Sequence, residues 1–165
     1  MRVQLLDPKQ HDRTHFSCEE ESLTHYIQKQ ASQDMKKNLA ACFVILNSAN
    51  LVVGYYTLSN DSISRIEIPE EYQNKIPKNY NVPVTLLGRL ARDITSKGLG
   101  IGEYLLIDAL QRSYNISQQS IASMAVVVDP INDKAVNFYG KYGFALLPDS
   151  RKMFLSMRAI EKLFR

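Results

Sequence analysis

The chain has 165 residues, of which 45% are hydrophobic and 22% are charged, and these values suit one globular domain with a single core. Its net charge of +3 is a mild basic bias, compatible with an anionic ligand or nucleic acid and diagnostic of neither. Cys18 and Cys42 belong to no CxxC pair or Cys/His cluster, which argues against a zinc site, any other metal centre and a disulfide framework. Because the amino terminus lacks the apolar core of a signal peptide and no window approaches a membrane span, we expect a cytoplasmic protein.

The N-terminal segment is predicted to contain a strand and a helix. Val3–Leu6 is a short apolar strand. Ser17 and Glu20 form a capping-box pattern, which predicts a helix whose apolar face runs from Leu23 to Met35. The opposite face carries Lys29, Lys36 and Lys37. These lysines are either a solvated helix face or contacts for nucleic acid.

The next segment is predicted to form a hairpin and a loop. Ala41–Leu46 and Leu51–Leu58 are rich in branched and aromatic residues and flank the turn-forming segment Asn47–Asn50. We expect a further strand at Ile63–Ile66. The polar segment Glu67–Pro83 contains three prolines and predicts a long surface loop, either a flap that faces the substrate or a plain surface excursion.

A strand, a loop and a helix are predicted between Val84 and Asn115. The apolar strand is broken by the small and basic segment Ser96–Gly102, and residues at helical spacing follow from Ile101. Glycines at alternate positions leave the backbone bare where the N–H groups and the positive end of a helix dipole point outward. Such a loop binds phosphate or is only a tight connection. The lysine precedes the glycines, unlike a Walker A loop, and the third glycine comes too early for a Rossmann loop.

The remaining elements complete a mixed α/β (α+β) architecture. Ile121–Val128 is a nearly continuous apolar run, typical of a strand buried on both faces. A helix is predicted from Ile131 to a stop at Gly143, followed by a final strand at Met153–Met157 and an amphipathic tail at Ala159–Phe164. We therefore predict a meander of antiparallel strands followed by a strand–helix–strand unit and a terminal strand.

Two segments resemble the signature motifs of the GNAT N-acetyltransferases. Lys97–Gly102 fits the superfamily pattern Gln/Arg-x-x-Gly-x-Gly/Ala with lysine in the first place, and Asn132–Phe144 looks like the second motif, in the right order and spacing. The resemblance implies the GNAT fold over residues 1–165, with a central, mostly antiparallel sheet, a splayed parallel pair and helices on both faces. It also implies N-acetyltransferase activity with acetyl-CoA as the co-substrate.

Further segments, spread over nearly the whole chain, resemble the acetyltransferase toxins of bacterial toxin–antitoxin modules. They are His11–Arg13, Phe16–Cys18, Gln30–Asp34, Gly54–Ser59, Leu87–Ala91, Leu105–Arg112, Val128–Asp129 and Phe154–Met157. The resemblance implies that the α-amino group of aminoacyl-tRNA is acetylated and that a ribbon-helix-helix antitoxin restrains the enzyme. The chain departs from the family at Ser17–Glu19, where an acidic residue, cysteine and glycine are common, and at Arg92, where a small apolar residue is usual.

The resemblance also implies roles for individual residues. The pantetheine arm pairs with the central strand, whose N–H groups polarise the thioester carbonyl, and the pyrophosphate lies on the glycine loop. The cofactor-binding residues implied in this way are Leu90, Ala91, Arg92, Lys97, Gly98, Leu99, Gly100, Ile101 and Gly102. Asn132 either helps to hold the cofactor or caps the helix that it begins. Tyr139 is the general acid for the departing thiolate, with a core aromatic as the alternative.

The sequence indicates the residues that act on the acceptor less clearly than those that bind the cofactor. Glu67, Glu70 and Glu71 are candidates for a general base, although water can suffice because the α-amine of an aminoacyl ester is already weakly basic. Arg89 on the central strand is the leading ligand for tRNA phosphate. The other cationic candidates act collectively and are Lys29, Lys36, Lys37, Lys141, Arg151 and Lys152.

Two other functions stay open. The chain is an acetyltransferase of a small amine or a protein amino terminus, or it is a non-catalytic module that binds acetyl-CoA or the antitoxin and acts in DNA-bound autoregulation. Homodimers are frequent in the resembled family, and the strand with Tyr55 and Tyr56 or the terminal strand are candidate surfaces.

Overall fold

The computed structural model describes residues 2–165, which form seven strands and six α-helices. The strands are β1 (Val3–Leu5), β2 (Ala41–Leu46), β3 (Val52–Ser64), β4 (Asn81–Arg92), β5 (Ala125–Val128), β6 (Ala145–Leu146) and β7 (Met153–Ser156). The helices are α1 (Glu21–His25), α2 (Ala31–Lys36), α3 (Glu70–Gln73), α4 (Ile101–Gln119), α5 (Asp133–Gly140) and α6 (Met157–Leu163). A π-helical turn, Tyr26–Gln30, joins α1 to α2, and 3₁₀ turns cover Arg65–Glu67 and Ile94–Ser96.

The strands form a seven-stranded sheet in the order β1-β2-β3-β4-β5-β7-β6. The pairs β1/β2, β2/β3, β5/β7 and β6/β7 are antiparallel. In contrast, β4 and β5 run parallel, with Thr85 opposite Val126 and Leu87 opposite Val128. This parallel register ends at Leu87, whereas β4 continues to Arg92. The predicted mixed fold, a mostly antiparallel sheet with one parallel pair, is therefore confirmed.

The chain divides into two compact units. The first unit comprises Met1–Ser59 and Gly88–Ala109, and the second comprises Asn60–Leu87 and Leu110–Arg165. The first contains β1, β2, α1, α2 and the glycine loop, and the second contains α3, α5, α6 and β5 to β7. The expectation of one GNAT domain over the whole chain stays a prediction.

In the first unit, a glycine lets the start of α4 approach the hairpin that β2 and β3 form. A Cβ at Gly54 of β3 would lie 2.8 Å from side-chain atoms of both Ile101 and Leu105. Real Cβ atoms do not approach other atoms so closely, so a larger residue at this position would force these side chains or the helix to shift. The contact fixes the first turns of α4 and, with them, the end of the glycine loop.

In the second unit, the segment between β3 and β4 is folded rather than loose. Arg65 Nε donates hydrogen bonds to the carbonyl oxygens of Gln73 at 2.8 Å and Ile76 at 2.7 Å. Tyr72 of α3 packs against Phe154 of β7, with ring centroids 5.7 Å apart. The segment is thus held both by its own arginine and by an aromatic contact with the sheet.

The predicted capping box is wrong. The first helix begins at Glu21, and Glu20 stands at its N-cap position without a side-chain hydrogen bond. Ser17 lies outside the helix, where its N–H donates a hydrogen bond to Asp93 Oδ1 at 2.8 Å. Ser17 therefore binds Asp93, a residue distant in sequence, and does not cap the helix that the local pattern indicates.

Several predicted boundaries also need correction. The separate strand at Ile63–Ile66 is wrong, because β3 continues to Ser64 and a 3₁₀ turn follows. The long loop contains α3, which begins after Pro69, a residue compatible with a helix start. The helix α4 extends beyond Asn115 to Gln119, and β5 begins only at Ala125. The two-residue strand β6 is exposed and too short for a periodic pattern, so it was not predicted.

Candidate active site

The glycine loop lies between the end of β4 and α4, as predicted. Gly98 and Gly100 have φ angles of +84° and +74°, in the left-handed region that favours glycine. A Cβ at Gly98 would meet nothing within 4 Å, so the backbone conformation rather than packing requires glycine there. The N–H groups with no acceptor among residues 2–165 include those of Gly98, Gly100, Ile101 and Gly102. Such bare N–H groups at the start of a 19-residue helix suit phosphate oxygens.

Asp93 anchors the chain between β4 and this loop. Its carboxylate accepts hydrogen bonds from the N–H of Ser17 at 2.8 Å, from the N–H of Thr95 at 3.0 Å and from the Thr95 hydroxyl. Burial alone would raise the pKa of Asp93, but these hydrogen bonds outweigh burial and hold the pKa below its ordinary value. The ionised carboxylate therefore ties the end of β4 to the segment around Ser17.

The last residues of β4 are the ones predicted to bind the pantetheine arm. Leu90, Ala91 and Arg92 lie past the residue at which the register with β5 ends. Ala91 is buried in the core of the first unit. Arg92 Nη1 lies 3.4 Å from Glu19 Oε1, so an ion pair holds the side chain that replaces the small residue usual in the resembled family.

Tyr139 lies on α5 in the second unit. Its side chain is 7% exposed, and its ring packs against Phe138 and Phe144 with centroids 5.3 and 5.4 Å away. The hydroxyl makes no hydrogen bond within residues 2–165. It is not completely enclosed, because the fully enclosed side-chain polar atom without a partner among these residues is Ser113 Oγ. Burial raises the pKa of Tyr139 well above its ordinary value. A protonated hydroxyl on a fixed ring suits proton donation.

Asn132 stands at the start of the same helix. Its Oδ1 accepts a hydrogen bond from the N–H of Ala135 at 2.9 Å, which makes Asn132 the N-cap of α5. The capping interpretation is confirmed. A role for Asn132 in holding the cofactor stays a prediction.

Arg89 of β4 is half-buried in the first unit. The carbon of its guanidinium group lies 3.7 Å from the centre of the Tyr26 ring. The Tyr26 hydroxyl donates a hydrogen bond to Asp34 Oδ2 at 2.8 Å. The sequence pattern assigned Tyr26 only to the apolar face of a helix. The one sequence signal that could have indicated its polar contacts was Asp34, an acidic residue two helical turns later.

The other charged candidates occupy less specific positions. Lys29, Lys36 and Lys37 are exposed on the helical segment that carries Tyr26. Lys152 Nζ lies 2.9 Å from Asp129 Oδ1 and is held in an ion pair. The exposed side chains of the possible bases Glu70 and Glu71 lie in the first turn of α3. Their predicted roles, like those of Glu67, Lys141 and Arg151, stay predictions.

Residues 2–165 contain neither a metal-binding cluster nor a membrane-spanning helix. Among these residues there is no group of three or more His, Cys, Asp and Glu side chains that could hold a metal ion. None of the helices that they form is long and apolar enough to cross a membrane.

Cys42 is buried in the core, and burial raises the pKa of its thiol to about 12, so it is not a reactive thiolate.

Comparison with characterised proteins identifies related sequences. No model of a protein family matches the chain. The chain is similar to a probable toxin TacT of Sinorhizobium fredii, with 30% identity over 98% of this chain and 93% of the relative. It is also similar to a tRNA-acetylating toxin of Mycobacterium tuberculosis, with 35% identity over 83% of this chain and 80% of the relative.

Solved structures of similar fold agree with these relatives. A tyrosine-to-phenylalanine mutant of KacT matches with a TM-score of 0.91 and 28% identity, over 99% of this chain and 98% of that one. AtaT complexed with acetyl-methionyl-tRNAfMet matches with a TM-score of 0.90 and 27% identity, over 99% of both chains. AtaTR bound with acetyl-CoA matches with a TM-score of 0.84 and 25% identity, over 99% of this chain and 98% of that one.

Proposed function

Because the chain belongs to the family of tRNA-acetylating toxins, which are GNAT N-acetyltransferases, we propose that it transfers the acetyl group of acetyl-CoA to the α-amino group of an aminoacyl-tRNA and so blocks translation. The observation that carries the proposal is the similarity to a relative named for this reaction. The structure of AtaT with an acetylated methionyl-tRNA adds support, since its fold extends over almost all of this chain.

The first unit contains groups that suit the co-substrate. Acetyl-CoA supplies the acetyl group as an activated thioester. We assign its pyrophosphate to the bare N–H groups of Gly98–Gly102, and the neighbouring Lys97 adds positive charge. The backbone of Leu90–Arg92, past the end of the register with β5, takes up the extended pantetheine arm as an added strand would. An N–H group of this segment then polarises the thioester carbonyl.

We assign the general acid to Tyr139. The amine nitrogen bonds to the carbonyl carbon, the carbon–sulfur bond breaks, and the departing sulfur receives the phenolic proton of Tyr139. The amine releases its own proton to water, and Tyr139 regains a proton from solvent. This role is supported by a phenol that is protonated at neutral pH and by a hydroxyl that no hydrogen bond within residues 2–165 occupies.

Deprotonation of the acceptor needs no strong base. The α-amine of an aminoacyl ester loses its proton more readily than an ordinary amine, so water can accept that proton. The exposed Glu70 and Glu71, with Glu67 nearby in sequence, are the alternatives. Replacing each of them by glutamine separates these two interpretations.

The acceptor implies the setting and the partners of the enzyme. Arg89 and the exposed lysines Lys29, Lys36 and Lys37 supply positive charge for tRNA phosphates. Because aminoacyl-tRNA is a cytoplasmic substrate, we expect the enzyme to act there. Membership of a toxin family further implies restraint by a ribbon-helix-helix antitoxin. A homodimer stays a prediction.

The proposal is tested with labelled acetyl-CoA and a total pool of aminoacyl-tRNA. Nuclease digestion then shows which aminoacyl adenosines carry the label, and we expect one or a few of them to do so. The matched control is Tyr139→Phe, which keeps the ring but should lower transfer by about 100-fold or more while leaving acetyl-CoA binding unchanged.

Two outcomes would contradict parts of the proposal. If the cofactor binds but no aminoacyl adenosine is labelled, a small amine or a protein amino terminus becomes the favoured acceptor. If Tyr139→Phe transfers acetyl at the wild-type rate, Tyr139 is not the general acid.

A further inference from the structure

Arg89 is a half-buried guanidinium whose hydrogen-bonding capacity is unused within residues 2–165. Its guanidinium carbon lies 3.7 Å from the centre of the Tyr26 ring, and none of its five N–H donors takes part in a hydrogen bond or ion pair with the described residues. A guanidinium that is partly buried for structural reasons alone normally donates to carboxylates or carbonyls.

Three other half-buried arginines show that normal behaviour. Arg13 Nη1 donates to the carbonyl oxygen of Ile27 at 3.2 Å. Arg65 donates to two backbone carbonyls, and Arg92 pairs with Glu19 at 3.4 Å. Arg89 differs from them because its planar set of donors is left for a ligand, and the shape of that set matches phosphate.

The ring beneath Arg89 is held rigidly. Tyr26 is 4% exposed, its hydroxyl is bound to Asp34, and its ring is stacked 6.1 Å from that of Tyr55. It begins a π-helical turn, a feature that occurs frequently at functional sites. The hydrogen bond from Arg13 to Ile27 stabilises that turn. Arg89 is therefore placed before any ligand arrives, which lowers the entropic cost of binding.

We propose that Arg89 binds a phosphodiester at the 3′ end of the aminoacyl-tRNA, and that Tyr26 and Asp34 are positioning residues that hold it there. This inference rests on the proposed function. Arg89 directly precedes Leu90–Arg92, the segment assigned to the pantetheine arm, and a strand rises only about 3.3 Å per residue. The phosphate that it binds is therefore one that joins the terminal nucleotides, close to the reacting amine, rather than one deep in the acceptor stem.

Three acceptors and four variants test this assignment. The acceptors are aminoacyl-tRNA, an aminoacyl cytidylyl-adenosine with one phosphodiester, and an aminoacyl adenosine with none. Arg89→Lys keeps the charge but loses the planar donor set, and Tyr26→Leu removes the ring. Tyr26→Phe keeps the ring but removes the hydrogen bond to Asp34. The matched control is Lys9→Gln, which removes one exposed charge in the same unit.

We expect Arg89→Lys to raise KM about 10-fold or more for the two acceptors that contain a phosphodiester, and not for aminoacyl adenosine. Tyr26→Leu should act in the same direction by about 2- to 30-fold. Tyr26→Phe should have a smaller effect than Tyr26→Leu in the same direction, the control Lys9→Gln should stay close to wild type, and the Kd for acetyl-CoA should not change. If Tyr26→Leu fails to fold, Arg89→Lys still carries the test, since Arg89 makes no hydrogen bond whose loss would destabilise the fold.

Other outcomes would overturn the inference. If Arg89→Lys raised KM equally for all three acceptors, Arg89 would not bind the phosphodiester. A higher Kd for acetyl-CoA would instead assign Arg89 to the phosphates of the coenzyme. If wild type acetylates none of the acceptors, the proposed function fails, and a salt titration of binding to uncharged tRNA tests Arg89 separately. Arg89→Gln should then make the negative slope of log K for tRNA binding against log salt shallower by about 0.7, as expected for the loss of one phosphate contact on a single strand. An unchanged slope would reject the contact.

Discussion

At the scale of single residues, Asp93 connects two segments of the first unit. Its side chain is 6% exposed and accepts hydrogen bonds from the backbone N–H groups of Ser17 and Thr95. We expect Asp93→Asn to lower the free energy of unfolding by about 1–3 kcal/mol, because an amide NH₂ would replace an acceptor that faces backbone donors. Urea denaturation at neutral pH measures this change. Asp149→Asn, at an exposed position, is the control and should stay within about 0.5 kcal/mol.

The effect of Asp93 should also depend on pH. The pKa of Asp93 is lower in the folded protein than its ordinary value of about 3.9, so the unfolded chain binds this proton more readily. The contribution of Asp93 to stability is therefore present above that value and is lost as pH falls through the folded-state pKa. The difference between wild type and Asp93→Asn should shrink in acid. A difference that does not vary with pH would show that the ionised form is unimportant.

At the scale of elements, the glycine loop depends on backbone conformation. Gly98→Ala places a Cβ where φ is +84°, which costs about 1–2 kcal/mol although nothing lies within 4 Å of it. The loop relieves this strain by shifting its N–H groups, so we expect the Kd for acetyl-CoA to rise about 5- to 30-fold. Isothermal titration calorimetry measures the Kd.

The control for this change is Gly140→Ala at the end of α5. A Cβ at Gly140 also meets nothing within 4 Å, but Gly140 does not have a positive φ angle. Its replacement should leave the Kd for acetyl-CoA unchanged, and the free energy of unfolding should stay the same or rise by about 0.4–1 kcal/mol. An equal rise in the Kd for both variants would show that the conformation of Gly98 is not what matters.

The elements that were predicted correctly are those determined by neighbouring residues. The glycines before a periodic segment were enough to predict the loop and α4, and the turn residues Asn47–Asn50 were enough to predict the hairpin. Two features that were not predicted correctly depend on distant partners. The start of the first helix depends on the contact of Ser17 with Asp93, 76 residues away, and the π-helical turn depends on the contact of Ile27 with Arg13, 14 residues away. The contact between Arg89 and Tyr26 is likewise tertiary, so sequence reasoning found the arginine and missed the ring that holds it.

At the scale of the whole molecule, buried phenols are a common feature of both units. The chain has nine tyrosines and no tryptophan, so tyrosinate absorbance reports on these residues alone. Burial is the main cause of a strongly raised pKa in Tyr26 and Tyr55 of the first unit and in Tyr139 of the second. Tyr55 also donates a hydrogen bond to the carbonyl oxygen of Leu23 at 2.7 Å, which its ionised form would lose.

This burial predicts how the protein responds to alkali. The folded state keeps phenolic protons that the unfolded chain would release, so the stability from these groups is fully present below about pH 10 and is lost as pH rises further. We expect at least three of the nine tyrosines to stay un-ionised above about pH 10 until the far-ultraviolet circular dichroism is lost. In urea all of them should titrate together. Tyr139→Phe should remove one tyrosine from the late group, and ionisation of all nine in the folded protein near pH 10 would contradict the prediction.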